Sequence, residues 1–416
     1  TATNRPGSSC QNQRVVPSSR SGILADTRAW FGRSQRAGVL LALFLLLIPG
    51  FALTAFTTRA YRSEQQRLAA ESSRRGERAL RDGHPAAAID ELRTAMSLAP
   101  TRPRRLRLAQ ALAASGRDAE ARAHLLTLRE GAPGDGVINL ELARLAGRAG
   151  DVTGASHYYR NAIEGAWEAA PDRNRRQVRL ELAEFLLRQG TPAQAEAELI
   201  ILAADMPRDP ALHVRVGDLL MEAQQARRAF DVYRAALRID PASRRALQGA
   251  GESAFRMANY VTARRYFEAV AAVEPGNAHV RGRLETITAV LAVDPFRRGL
   301  PARERARRVV LAFEIASSRL QACSASLGIA LPADPASPPD PEAANADGLQ
   351  RLALELRGTA PIVKVDTISR DPDALERVMD VVFRIEDACE ARCGQAGHGS
   401  DQALVLIARG RRAAEH

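Results

Sequence analysis

The sequence predicts an all-α protein with a single N-terminal transmembrane helix, a solenoid of helical hairpins and a smaller helical C-terminal region. Two observations lead to this prediction. The stretch AFDVYRAALRIDP (Ala229–Pro241) recurs 34 residues later as ARRYFEAVAAVEP (Ala263–Pro275), and recurrence at that spacing is typical of stacked helical repeats. The segment from Ala37 to Thr58 carries no charged residue, as a membrane-spanning helix requires.

Composition agrees with a helical fold of two or three domains. Of the 416 residues 46% are hydrophobic and only 5% aromatic, so the core is built from small side chains that suit closely packed helices. The net charge of +11 comes from arginine, since Lys364 is the only lysine. Because the arginines mostly alternate with acidic residues, as on a solvated helix face, we expect no nucleic-acid binding.

The N-terminal part reads as a disordered basic tail, residues 1–36, followed by a transmembrane helix at Ala37–Thr58. At 1.5 Å per residue this helix reaches about 33 Å, enough to cross a hydrocarbon core of about 30 Å. Pro49-Gly50 would kink it. The alternative is a secretory signal whose apolar core ends at Ile48, but its best cleavage site, Thr58-Arg59-Ala60, is poor.

Orientation is the least determined feature of this segment, because arginines flank it on both sides. Cys323, Cys389 and Cys393 give a second indication. Cys389 and Cys393 are four residues apart on a predicted helix and poorly placed to bond each other, but either one can reach Cys323. A disulfide would fit an oxidising compartment. We therefore predict a single-pass protein of the cell inner membrane with its soluble part in the periplasm.

Six units with a common phase run from Ala70 to Pro275. Each unit predicts two short helices joined at a glycine, as at Gly83 and Gly190, with proline often opening the second helix. Small residues near positions 8 and 20 let the two helices approach, and a large residue near position 24 fills the space between units. One such pair cannot bury its apolar face by itself, so the units must stack.

This signature resembles the tetratricopeptide repeat over about half of the chain. The resemblance implies a peptide-binding solenoid whose first helices supply contact residues. The first helix here mostly lacks the family's tryptophan and tyrosine, and the third unit carries an insertion around Trp167. Both departures leave the predicted fold intact but put the local curvature at that unit in doubt.

The expected contact positions do not form an evident carboxylate clamp. Position 9 carries Glu77, Gln110, Arg144, Glu184, Asp218 and Glu252, and position 13 carries Arg81, Ala114, Arg148, Arg188, Glu222 and Arg256. Three of these acids precede an arginine by one helical turn, which predicts pairing within each helix. Arg144 with Arg148 is the only couple in which both positions are cationic. Together with Asp218 and Glu222, these residues are the predicted partner contacts.

The remaining sequence predicts further helices. Residues 59–293 form the solenoid, ending in a capping helix across HVRGRLETITAVLAVDP, and residues 294–332 form a helical extension. A Pro- and Asp-rich linker follows at 333–346. The C-terminal region, 347–416, contains three amphipathic helical patterns, and PIVKVD reads as a short strand or an extended segment.

We find no catalytic motif, and we predict no catalytic residue, cofactor or metal. A zinc site from Cys389, Cys393 and His398 is a weaker reading than a disulfide. The predicted function is therefore that of a membrane-anchored scaffold that binds partner proteins, as an assembly factor or an accessory subunit of a membrane complex. Its layout is similar to that of bacterial assembly factors such as those of cytochrome biogenesis.

Two alternatives belong to other functional classes. The arginine-rich run Phe296–Arg308 would suit an adaptor for nucleic acid or anionic lipid. An active site in Pro301–His416 would have to gather ionisable groups from one part of the fold. The candidates for such a site are Asp366, Glu386, Asp387 and Cys389.

Overall fold

The structure, a computed structural model, describes residues 23–331, 348–394 and 400–415. These residues form eighteen α-helices and no strand, with one isolated bridge between Asp135 and Ala166. The first 22 residues of the predicted tail and the predicted linker 333–346 lie outside the described residues. The rest of the predicted disordered tail, residues 23–36, is helical and forms the start of α1.

The helices follow one another with short connections. Their bounds are α1 Ile23–Arg81, α2 Pro85–Leu98, α3 Arg102–Ala114, α4 Asp118–Gly131, α5 Gly136–Arg148, α6 Val152–Glu164, α7 Pro171–Arg188, α8 Pro192–Ala204, α9 Pro210–Glu222, α10 Ala226–Ile239, α11 Arg244–Arg256, α12 Tyr260–Val273, α13 Ala278–Val293, α14 Ala302–Ser326, α15 Gly348–Thr359, α16 Val365–Arg370, α17 Pro372–Cys393 and α18 Ser400–Glu415. The chain divides into two compact units, residues 1–132 and 133–416.

The first unit contains α1 to α4. The end of α1 packs against α2, and α3 packs against α4, so these helices form two hairpins. Gly76 lets α1 approach α2, because a Cβ on Gly76 would lie 2.7 Å from Cγ of Leu92.

The predicted membrane span, Ala37–Thr58, lies within α1. The side chains of residues 37–41 and of Phe44 are outside the described set. Across the part of the chain whose placement is described, no helix has both the length and the apolarity needed to cross a membrane.

The second unit contains four more hairpins, α5–α6, α7–α8, α9–α10 and α11–α12, followed by α13. In both units the repeat positions pack as their side-chain sizes suggest. The small residue near position 20 is fully buried in every hairpin, namely Ala88, Ala121, Ala155, Ala195, Ala229 and Ala263. The large residue four positions later is also buried, namely Leu92, Leu125, Tyr159, Leu199, Tyr233 and Phe267.

One turn geometry closes the first helix of all six hairpins. Two residues after its end the chain adopts a left-handed conformation, and the next amide bonds back to a carbonyl five residues earlier, as from Thr191 to Leu186 at 3.0 Å. Four hairpins place glycine at this point, with φ of 76° at Gly83 and 70° at Gly190. The last two place Gln224 and Ala258 there, with φ of 62° and 55°.

The insertion in the third unit is a short ordered segment. Trp167 lies over the start of α5 and donates from Nε1 to the carbonyl of Ala162 at 2.9 Å. Gly136 makes room for the indole, because a Cβ there would lie 2.4 Å from its Cε2. The amide of Gly136 also bonds the carbonyl of Ala166 at 2.9 Å, so the insertion is tied to α5.

The C-terminal helices pack on the end of the second unit. α14 contacts α16 and α17, and α18 contacts α13, α14 and α17. The segment PIVKVD is not a strand, because residues Ala360–Ile362 form a 3₁₀ turn and α16 begins at Val365; only Lys364 between them is extended. Proline at the second position of that turn cannot donate to a strand ladder, which favours the turn.

Candidate protein-binding surface

The first helices of the second unit, α5, α7, α9, α11 and α13, are joined in sequence by ion pairs. We call this set the ladder. It consists of Arg144–Glu181 at 2.8 Å, Arg215–Glu184 at 2.8 Å, Arg245–Asp218 at 2.8 Å and Arg283–Glu252 at 2.8 Å. Each pair connects one hairpin to the next, so these charges bind the stack together.

Three of the four pairs follow one rule of spacing, in which position 9 of one unit meets position 6 of the next. Asp218 is the exception, because position 6 of the following unit is Gly249. The ring of Tyr233 occupies that space, since a Cβ on Gly249 would lie 2.4 Å from it. Asp218 therefore pairs with Arg245 and also accepts a bond from the Tyr233 hydroxyl at 2.7 Å.

The same rule holds in the first unit, where Glu77 of α1 lies 3.5 Å from Arg107 of α3. Pairing one turn apart within a helix, which the sequence suggested, is weaker. Glu252 lies 3.9 Å from Arg256 of its own helix but 2.8 Å from Arg283 of the next. The first-helix acids therefore mainly link neighbouring hairpins.

The four predicted partner contacts lie on two helices separated by α7. Arg144 sits in the ladder, and Arg148 is exposed at the end of α5. Asp218 also sits in the ladder, whereas Glu222 is exposed at the end of α9. Their role in partner binding stays a prediction; the side chains of Arg148 and Glu222 are exposed, and those of Arg144 and Asp218 are partly buried.

The pKa shifts of Arg144 and Glu181 agree with their close ion pair. Burial raises the pKa of Glu181, but the hydrogen bonds and charge of Arg144, with a bond from the Tyr159 hydroxyl, outweigh burial and leave this pKa below its usual range. Bonding to Glu181 raises the pKa of Arg144. A ligand carboxylate would have to displace Glu181 to bind Arg144.

A cleft of about 780 Å³ lies where α18 meets the end of the repeats. Phe255 and Arg256 at the end of α11 form one wall, Leu406 and Arg409 of α18 form the other, and Arg283 of α13 also lines the cleft. The hydroxyl of Thr286 in α13 bonds Oε1 of Gln402 in α18 at 3.2 Å, which helps hold the second wall in place. This cleft could not be predicted from the sequence, because its two walls are about 150 residues apart along the chain.

The cysteines lie away from this cleft in the C-terminal helices. Cys323 of α14 and Cys393 of α17 form a disulfide with Cα atoms 5.8 Å apart, and Cys389 is fully buried. Cys389 and Cys393 lie one helical turn apart on α17, and only Cys393 meets α14 at Cys323. Among the described residues no three His, Cys, Asp or Glu side chains are grouped to hold a metal ion.

The ionisable residues of the C-terminal region do not share one surface. Glu386 is fully buried beside Arg319 of α14 at 3.2 Å. Asp387 is half-buried and pairs with Arg412, and Asp366 is exposed near Arg303. The four groups suggested for an enzyme site are thus divided between the core and the surface.

Nested hairpins, left-handed turns and a ladder between first helices define a helical-repeat scaffold, a class that presents extended binding surfaces. Residues 140–201 and 180–244 match the family model described as Tetratricopeptide repeat. This chain therefore contains tetratricopeptide repeats. No curated protein matches the sequence.

Solved structures of repeat proteins are similar to parts of the chain. The C-terminal part of a TPR repeat-containing protein from Cytophaga hutchinsonii is 13% identical, with 56% of this chain and 93% of that chain covered and a TM-score of 0.43. For PilF of Pseudomonas aeruginosa the values are 17%, 53%, 96% and 0.38. For YrrB, described as a TPR protein with an unusual peptide-binding site, they are 14%, 46%, 95% and 0.36. At these scores the likeness carries no inference about function.

Proposed function

We propose that this protein is a membrane-attached scaffold that holds partner proteins on the first-helix side of its repeats, as an assembly factor or accessory subunit of a membrane complex. The observation that carries the proposal is the ladder. It fixes five first helices side by side, and exposed ends such as Arg148 and Glu222 lie beside it. A pre-ordered surface loses little conformational entropy when it binds a partner.

Attachment to a membrane rests on α1. Its large apolar side chains are exposed along one stretch, namely Leu43, Leu45, Leu46, Leu47, Ile48, Phe51, Leu53 and Phe56. Exposed apolar surface of this extent needs a cover, and a bilayer fits the uncharged sequence from Ala37 to Thr58. The Cys323–Cys393 disulfide supports placement of the soluble part in the periplasm.

The test is site-specific photo-crosslinking in native membranes. A photo-reactive amino acid replaces Arg188 or Glu222 at the exposed ends of first helices, or Asp231 on second helix α10 as the matched control. We expect defined protein adducts from the first two positions and few from Asp231. A partner that crosslinks to most copies of the chain would indicate an accessory subunit. A partner that crosslinks to only a small fraction of copies, and only transiently, would indicate an assembly factor.

Two results would contradict the proposal. One is an equal adduct pattern from all three positions, which would mean that the first-helix side is not a preferred surface. The other is release of the full chain from membranes by alkaline carbonate, which would contradict anchoring through α1.

A further inference from the structure

We propose that the cleft between α11 and α18 binds an acidic segment of a partner protein that also carries a large apolar side chain. This inference rests on the proposed scaffold function and names a site for it outside the ladder. The cleft volume of about 780 Å³ is in the range of sites that hold several ligand groups.

The apolar part of the site is formed by aromatic and aliphatic side chains. Phe255 and Tyr260 pack edge to face with ring centroids 5.5 Å apart, and both rings line the cleft. Leu406 faces them from α18 and is only partly buried. Because both rings are only 8% exposed, an apolar side chain of a partner has to contact mainly the less buried Met257 and Leu406.

The charge of the cleft favours an acidic ligand. Three arginines and one carboxylate line it, and that carboxylate, Glu252, is held by Arg283 through bonds of 3.0 and 2.8 Å. Arg409 pairs with Glu390, which does not line the cleft. Arg256 donates to the carbonyl of Met221 at 3.1 Å and lies 3.9 Å from Glu252, so its ion pair is longer than that of Arg283 with the same carboxylate.

These two arginines stand on opposite walls with exposed side chains. The exposed fraction is 48% for Arg256 and 53% for Arg409. A ligand carboxylate can bind Arg256 directly but has to share or displace Glu390 at Arg409, and charge-assisted hydrogen bonds to carboxylates are stronger than neutral ones. A nucleic-acid backbone would need more positive charge than this cleft supplies.

The turns at the cleft give a second, independent observation. Gln224 and Ala258 adopt the left-handed conformation in which the other four hairpins have glycine, and both line the cleft. A side chain in that conformation is unfavourable, so glycine would be the more stable choice. Ala258 also touches α18, since a Cβ on Gly410 would lie 3.4 Å from it. We infer that the side chains of Gln224 and Ala258 shape the site.

The test uses the full chain in nonionic detergent and fluorescence anisotropy. The probe is a fluorescein-labelled eight-residue peptide that alternates glutamate with leucine, and the matched control peptide has lysine in place of glutamate. We expect the acidic peptide to bind and the basic peptide not to bind. In the double variant Arg256→Gln, Arg409→Gln we expect binding to weaken by about tenfold or more.

The variant Arg160→Gln is the protein control, because Arg160 is an exposed arginine on second helix α6, outside both the cleft and the first-helix side. It should bind the acidic peptide as tightly as the natural chain. Circular dichroism checks that each variant is folded. No binding of the acidic peptide, equal binding of the basic one, tighter binding of single-stranded DNA, or equal loss in Arg160→Gln would each overturn the proposal.

The turn residues are tested by Gln224→Gly and Ala258→Gly. Both variants should melt at a higher temperature and bind the acidic peptide more weakly, a combination that a purely structural role does not produce. Wild-type affinity in both would overturn their assignment to the site. If the crosslinks from Arg188 and Glu222 appear while the peptide fails to bind, the cleft assignment fails and the scaffold function stands.

Discussion

Arg144 of α5 donates two hydrogen bonds to Glu181 of α7, from Nε to Oε1 and from Nη2 to Oε2, and each is 2.8 Å long. The hydroxyl of Tyr159 donates to the same carboxylate at 3.0 Å. Glu181 of α7 is thus held by both helices of the preceding hairpin, α5 and α6. This arrangement makes the pair a sensitive point for the stability of the second unit.

Arg144→Gln should destabilise the second unit by about 1–3 kcal/mol, because it removes both charge-assisted bonds from a mostly buried carboxylate. The free energy of unfolding is measured by urea titration. The exchange Arg144→Glu with Glu181→Arg should recover part of the loss. A single variant within about 0.5 kcal/mol of the natural chain would show that the pair adds little.

The same pair should give an acid-sensitive contribution to stability. Although burial raises the pKa of Glu181, its bonds to Arg144 and Tyr159 leave that pKa below the unfolded value. A lowered pKa means that the stabilisation is complete above the unfolded pKa of about 4.3 and is lost as the pH falls through the folded one. Urea midpoints measured from neutral pH downward should fall less steeply in Glu181→Gln.

Tyr260 should contribute in the opposite pH range. Burial, followed by the nearby charge of Asp294, raises the pKa of Tyr260 to about 12. The phenol therefore stabilises the fold fully below its unfolded pKa of about 10, and this contribution is lost as the pH rises through the folded value. Phenolate absorbance and urea midpoints should follow that order, and Tyr260→Phe should reduce the alkaline loss of stability.

Two glycines inside helices should respond oppositely to alanine. A Cβ on Gly217 of α9 would lie 2.6 Å from the buried ring of Tyr233, so Gly217→Ala should cost about 1–3 kcal/mol. Gly282 of α13 is exposed with no atom within 4 Å of the same position, so Gly282→Ala should gain about 0.5–1 kcal/mol. Thermal unfolding compares them, and a loss in both would contradict the steric explanation.

The disulfide should matter for the C-terminal helices. Cys323 and Cys393 are 70 residues apart, and closing a loop of that length stabilises a fold by about 4 kcal/mol in the chain-entropy model. Cys393→Ser should therefore lower the melting temperature of the C-terminal region. Reducing agent should lower it in the natural chain and leave the variant unchanged. Equal sensitivity of both proteins would mean that the reductant acts elsewhere.

Much of the fold could be predicted because it depends on side-chain size at short, regular spacing. The side-chain sizes of Ala229 and Tyr233, which lie on one helix, predict how they pack. Gly190 directly predicts a left-handed turn. The turns at Gln224 and Ala258 carry no such signal, because neither residue favours the conformation that it adopts.

The candidate sites were harder to predict because they combine distant segments. From the sequence Arg144 is expected to face solvent as a contact residue. In the fold its partner is Glu181 of α7, which lies 37 residues further along the chain. A usable signal did exist, since opposite charges recur between position 9 and position 6 of the next unit. The cleft had no such signal in the sequence, because only the packing of α18 brings Arg256 and Arg409 to the same cleft.

The ladder also fixes the order in which the hairpins follow one another. α7 presents an acid on both sides, Glu181 towards α5 and Glu184 towards α9. Excision of the α7–α8 hairpin would bring Arg144 against Arg215, two like charges, even though the backbone period would be preserved. Repeats of equal length in this chain are therefore not interchangeable modules. A recombinant that reorders them has to reverse the charge of one residue at each new junction as well as preserve the repeat spacing.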